Sequence, residues 1–86
     1  MTGALPVRVM VEDAWDEVFL ELPGATALSE LKRQALRLTH VDGDPSDYMI
    51  KYRGAALADE SRSMEDAGLV PNAALIVLAR RRRPVR

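Results

Sequence analysis

The 86-residue chain contains no cysteine, which excludes a disulfide framework, a thiolate metal site and a cysteine nucleophile. It has a single histidine, His40, and without a second histidine or a cysteine nearby a metal held there would lack ligands. No serine has an evident base partner. Lysine is limited to Lys32 and Lys51, and the aromatics to Trp15, Phe19, Tyr48 and Tyr52. The five glycines are scattered, so no phosphate-cradling loop is present. The longest apolar run, Ala73 to Ala79, falls far short of the roughly 20 residues that a membrane helix needs. Met1 to Val11 lacks the basic start and apolar stretch of a secretory leader. These absences predict a soluble, globular, cytoplasmic protein without cofactor or metal. At this length a domain buries only about 60% of its unfolded surface, which leaves little room for both a core and a deep substrate cavity and argues against an enzyme.

What is present is a division of charge. The formal net charge is −1, yet residues 1–79 carry seven of the twelve basic side chains and all thirteen acids, a net −6, while residues 80–86 carry +5. An acidic body is followed by a basic tail of Arg80, Arg81, Arg82, Arg83 and Arg86.

Val7, Val9 and Val11 alternate with polar or intermediate neighbours, as do Val18, Leu20 and Leu22, the period-two signature of strands with one buried face. The segment between them, Glu12 to Glu17, suits a hairpin loop, so these strands pair antiparallel. Pro23-Gly24 ends the second. From Thr26, a candidate N-cap, apolar residues recur at helical spacing: Leu28, Leu31, Ala35 and Leu38. Turn formers then stop the helix between Thr39 and Asp47. A third strand follows at Tyr48 to Arg53, with Ile50 and Tyr52 on one face and Met49 and Lys51 on the other. Gly54 turns the chain, Leu57 anchors a very short strand, and Met64 and Leu69 point to the core from a long loop. The last strand, Ala74 to Ala79, buries either Leu75 and Val77 or Ile76 and Leu78. The order is ββαββ, an α+β fold, with a short lead over residues 1–6, one domain over 7–79 and the tail over 80–86.

Val18-Phe19-Leu20-Glu21-Leu22-Pro23, Leu28-Ser29-Glu30-Leu31-Lys32, Ile50 to Asp59 and Leu75-Ile76-Val77-Leu78-Ala79-Arg80 together resemble the ubiquitin-like, or β-grasp, family across residues 7 to 83. The resemblance implies a mixed sheet with one helix packed on one face. The first strand is central and parallel to the last, which resolves the last strand with Leu75 and Val77 inward and Ile76 and Leu78 outward. Its expected core is Val7, Val9, Val11, Val18, Leu20, Leu22, Leu28, Leu31, Ala35, Ile50, Leu57, Met64, Leu69, Leu75 and Val77. It also implies a structural pair between Lys32 and Asp59. Conjugation in this family needs a terminal Gly-Gly, whereas Arg83-Pro84-Val85-Arg86 stands here, and proline is a poor substitute for glycine. A non-conjugating member is the resulting expectation. A sulfur-carrier role that uses the same terminus is disfavoured on the same ground.

Three surfaces are candidates for function. On the open sheet face Met10, Phe19, Met49, Ile76 and Leu78 form an apolar patch, with Lys51 where ubiquitin has its central isoleucine; either a partner binds there, or loops, the tail or a homodimer cover it. At the hairpin tip four carboxylates surround Trp15, which is either a binding anchor or a ring folded back on the sheet. The arginine tail is either a solvated end or an electrostatic contact. The body's −6 repels nucleic acid as the main partner, and the tail lacks stacking aromatics, leaving weak contact with an anionic surface. Asp42-Gly43-Asp44-Pro45-Ser46-Asp47 lacks the spacing of a calcium loop and is read as a turn, with His40 in the preceding loop. The expected function is a protein-binding module, monomeric or weakly dimeric, or a small subunit of a larger assembly such as a bacterial secretion system or oxygenase. Ten arginines against two lysines, with twelve alanines, fit a GC-rich bacterial genome. The alternatives are a C-terminally processed conjugated modifier or sulfur carrier and, third, a nucleic-acid adaptor acting through the tail.

Overall fold

The computed structural model describes residues 4–80. Five strands and one helix follow the order β1 (Ala4–Val11), β2 (Asp16–Pro23), α1 (Leu28–Leu38), β3 (Tyr48–Tyr52), β4 (Ala55–Ala56) and β5 (Ala73–Ala79). They make one mixed sheet in the order β2-β1-β5-β3-β4. The hairpin pairs β1 with β2 antiparallel, β1 and β5 run parallel at the centre, and β3 lies antiparallel to β5. This is the ubiquitin-like β-grasp arrangement, α+β in class. The first strand begins at Ala4, inside the expected lead, because Leu5 pairs with Leu22 and Pro6 with Glu21. The short fourth strand is Ala55–Ala56; Leu57 follows it, with its N–H donating to the Ile50 carbonyl. Gly54 has φ +81 in the turn before it, a conformation costly for residues with a Cβ.

One core lies between the sheet and α1. Val7, Val9, Val11, Leu28, Leu31, Ile50, Met64, Leu75 and Val77 are all but inaccessible, and Leu20, Ala35 and Leu69 are buried with them. Val18, Leu22 and Leu57 are half-buried against this cluster rather than inside it. The first two belong to the edge strand β2, where the sheet runs out. Tyr48, Ala73 and Leu36 complete the core. The helix buries Leu28, Leu31, Lys32, Ala35, Leu36 and Thr39, positions i, i+3, i+4, i+7, i+8 and i+11 of one stripe. Leu38 lies beyond its edge and is exposed.

Thr26 does not cap the helix. The N-cap is Ala27, without a side-chain bond, and the free first-turn amides are met by a distant loop: Leu28 N–H donates to the Arg62 carbonyl and Ser29 N–H to Glu60. At the other end the Val41 amide donates to Leu36 and the His40 amide to Arg37, with His40 at φ 60. That is a Schellman ending with histidine in the left-handed position usually held by glycine.

Candidate functional site

The face of the sheet opposite α1 carries no other element among the described residues, so its side chains follow directly from strand register. Glu17 pairs across β2 and β1 with Met10, Met10 across to Ile76 of β5, and Ile76 across to Lys51 of β3. A neighbouring row runs Phe19, Arg8, Ala74, and another joins Leu78 to Met49. Phe19 is 70% exposed and Ile76 42% exposed, while Met10, Met49, Lys51 and Leu78 are half-buried. The structure therefore brings together all six open-face residues expected from sequence. It adds Arg8 and Glu17, which strand alternation already puts on the faces of Met10 and Phe19 and which the hairpin register sets opposite Phe19 and Met10. Beside Leu78 the face dips into an open depression of about 450 Å³ lined by Glu12, Met49, Lys51, Leu78 and Arg80.

The hairpin tip is a 3-10 turn, Glu12–Ala14, closed by Trp15 at φ 50 and ψ 40, whose amide donates to the Glu12 carbonyl. Trp15 is 83% exposed, so its ring is not folded back on the sheet. Asp13 does not act as free surface charge: the Tyr48 hydroxyl donates to its Oδ2 at 2.8 Å, tying the tip to the start of β3. That bond, with burial and the nearby carboxylates of Asp13 and Asp47, raises the Tyr48 phenol above its ordinary value. The Tyr48 ring also needs Gly43, where a Cβ would stand 2.8 Å from a ring carbon. No local pattern marks the contact between Asp13 and Tyr48, 35 residues apart.

The expected pair between Lys32 and Asp59 does not form. Lys32 is buried, with Nζ 2.6 Å from Glu60 Oε1 and donating to the Tyr48 carbonyl at 2.9 Å. Asp59 instead turns outward and accepts from the amide and hydroxyl of Ser61, bonds that hold its carboxyl below the usual range. Both carboxylates lie in the same loop, and Asp59 is already occupied in closing a local turn, which leaves Glu60 to reach the helix. Arg80, expected as the first residue of the tail, is held by the body: its amide donates to Asp47, its Nε to the Ser46 carbonyl at 2.9 Å, and its Nη2 lies 3.7 Å from Glu60 Oε2. Arg80 thus belongs to the folded unit. Arg81, Arg82, Arg83 and Arg86 lie outside the described residues.

The loop Asp42 to Asp47 is a turn, in which Asp44 Oδ1 accepts from the amide and hydroxyl of Ser46 and caps the 3-10 turn Pro45–Asp47. Those bonds lower the Asp44 carboxyl from its ordinary value. Among the described residues no group of three or more histidine or carboxylate side chains is placed to hold a metal ion.

No protein-family model matches the sequence, and no curated protein matches it. Solved structures do match in shape. The ubiquitin-like domain of an Arabidopsis thaliana protein is 17% identical with a TM-score of 0.75, covering 96% of this chain and 84% of that one. The ubiquitin of Caldiarchaeum subterraneum is 14% identical with a TM-score of 0.77, covering 92% and 96%. A designed protein based on ubiquitin is 15% identical with a TM-score of 0.78, covering 98% of each chain. At these identities the likeness is one of fold, and the fold of this chain is ubiquitin-like.

Proposed function

We propose that this protein is a non-enzymatic, non-conjugating ubiquitin-like binding module of the cytoplasm, working alone or as a small subunit of a larger assembly. Its open sheet face and Trp15 tip hold a protein partner. One observation carries the reading: the cross-strand pairs Met10–Ile76 and Met49–Leu78, with Phe19 on the same side of the sheet, gather five apolar side chains on the face opposite the helix, and exposed apolar surface on small domains marks contact surfaces. Trp15, 83% exposed, adds area and an N–H donor beside it. Chain building on lysines sits less well with a chain whose two lysines include one, Lys32, that is buried in an ion pair. Among the described residues no helix is long and apolar enough to cross a membrane.

The test compares the proteins captured by the native chain with those captured by Phe19→Asp and Ile76→Asp. Both residues are exposed, and circular dichroism checks that both variants keep the fold. The expected result is that one set of proteins is retained by the native chain and lost from both variants. Identical sets from all three would remove the open face from the reading, and covalent adducts of this chain in the same mass spectra would replace the binding module with a modifier.

A further inference from the structure

We infer that the open face pairs with a second copy of this chain, in a two-fold dimer keyed by the row Glu17, Met10, Ile76, Lys51. The inference rests on the reading of that face as a protein-docking surface and names its occupant.

The row crosses four strands in register and reads acid, apolar, apolar, base. Glu17 is exposed and Lys51 half-buried. Neither side chain has a hydrogen bond or ion pair among the described residues. The sequence of characters is complementary to its own reversal. When two such sheets face each other about 10 Å apart, a two-fold axis running along the strands reverses the row. Glu17 of one copy then faces Lys51 of the other, twice over, and Met10 faces Ile76. A two-fold axis running across the strands leaves the row unreversed and sets Glu17 against Glu17 and Lys51 against Lys51. Charge therefore selects one of the two face-to-face arrangements, which is how rim charges fix register in isologous interfaces. The apolar pair at the middle of the row supplies the buried area. With strands about 4.8 Å apart the row is about 14 Å long, half the roughly 28 Å width of a patch of about 800 Å² per partner. The dimer is accordingly weak and concentration-dependent.

Sedimentation of the full chain between about 10 μM and about 1 mM, the range suited to so small a patch, tests this against Glu17→Lys, Lys51→Glu and the double exchange. Circular dichroism serves as the folding control. The native chain is expected to dimerise across this range, and added salt is expected to weaken it. Each single exchange turns both attractive contacts repulsive and is expected to raise the dissociation constant about tenfold or more. The double exchange restores dimerisation. Dimers that ignore the single exchanges, or a double exchange that fails to rescue, overturn the keyed row. A chain monomeric throughout overturns the second-copy occupant; if Phe19→Asp and Ile76→Asp still lose captured proteins, the docking face itself stands.

Discussion

Replacing Glu60 by alanine is expected to be among the most damaging single changes available in this fold, and more damaging than removing its partner Lys32. Lys32 is 3% exposed and its ammonium has two acceptors, Glu60 Oε1 at 2.6 Å and the Tyr48 carbonyl at 2.9 Å. Glu60→Ala leaves that charge buried with one neutral acceptor, the situation in which breaking a buried pair costs about 3–5 kcal/mol. Lys32→Met removes the buried charge itself and keeps most of the apolar stem volume. Glu60 is then left at 15% exposure with Arg80 3.7 Å away. That variant loses both bonds of the ammonium and is expected to cost about 1–3 kcal/mol. The two differ by about 2 kcal/mol, and in a domain of this size each kcal/mol moves the melting temperature by about 4–8 °C. Joining the two changes is expected to recover much of the Glu60→Ala loss, a coupling of about 1–3 kcal/mol. Asp59→Ala, which removes only exposed bonds to Ser61, serves as the control at about 1 kcal/mol or less. Denaturant unfolding should be followed by far-ultraviolet circular dichroism, because Trp15 is exposed in the native state and its fluorescence changes little on unfolding. A Glu60→Ala variant no less stable than Lys32→Met, or less costly than Asp59→Ala, would refute the account of a desolvated lysine held by Glu60.

Two further outcomes follow from the geometry. In a Tyr52→Phe background the remaining phenol, Tyr48, is expected to ionise above its ordinary value of 10.0, since donation to Asp13 favours the neutral form, and Asp13→Asn should bring it back toward that value in an ultraviolet titration. Because the folded-state value is the raised one, the stabilisation is full below about pH 10 and is lost as pH rises through the folded-state value; Tyr48→Phe, costing about 1 kcal/mol, should flatten that alkaline decline. Leu36→Ala is expected to cost about 2–5 kcal/mol because Leu36 is 3% exposed, whereas Leu38→Ala at 49% exposure should change stability by less than about 1 kcal/mol. Equal losses in thermal melts would place the wrong leucine in the helix stripe.

The sheet was legible in the sequence because period-two alternation is a property of single strands: Val7, Val9 and Val11 alternate whatever they pair with, and the parity of Met10, Phe19, Met49 and Ile76 follows at once. The helix stripe was legible in phase but not at its end, since Leu36 and Leu38 sit on opposite flanks of the same stripe. What escaped were contacts that join distant segments. A threonine hydroxyl at residue 26 is a sound local cap, yet the carbonyls of Glu60 and Arg62 reach the same amides and make it unnecessary. The partner of Lys32 depends on which of two adjacent carboxylates faces inward, and only the turn that Asp59 makes with Ser61 decides it. Trp15 was legible as a candidate anchor, while its exposure depends on a left-handed backbone that no residue-type preference for tryptophan would suggest.

Tyr48 joins the two sides of the molecule. Its carbonyl accepts from the helix lysine and its hydroxyl donates to the hairpin tip, so the chain of contacts from Arg80 through Glu60 and Lys32 ends at the loop that presents Trp15. The outward residues of the open face are set in the same way from behind. Met10 lies between Val9 and Val11, and Ile76 between Leu75 and Val77, inward neighbours that are at most 1% exposed. Strand alternation transmits that fixity outward, because a side chain cannot leave its face without a register slip that would expose the core. A surface built on such strands keeps its backbone shape before any partner arrives, and association then orders a few side-chain rotamers rather than a loop. If the open face binds as proposed, this would give even a small patch of two methionines, an isoleucine, a leucine and a phenylalanine enough definition to discriminate by charge at its rim.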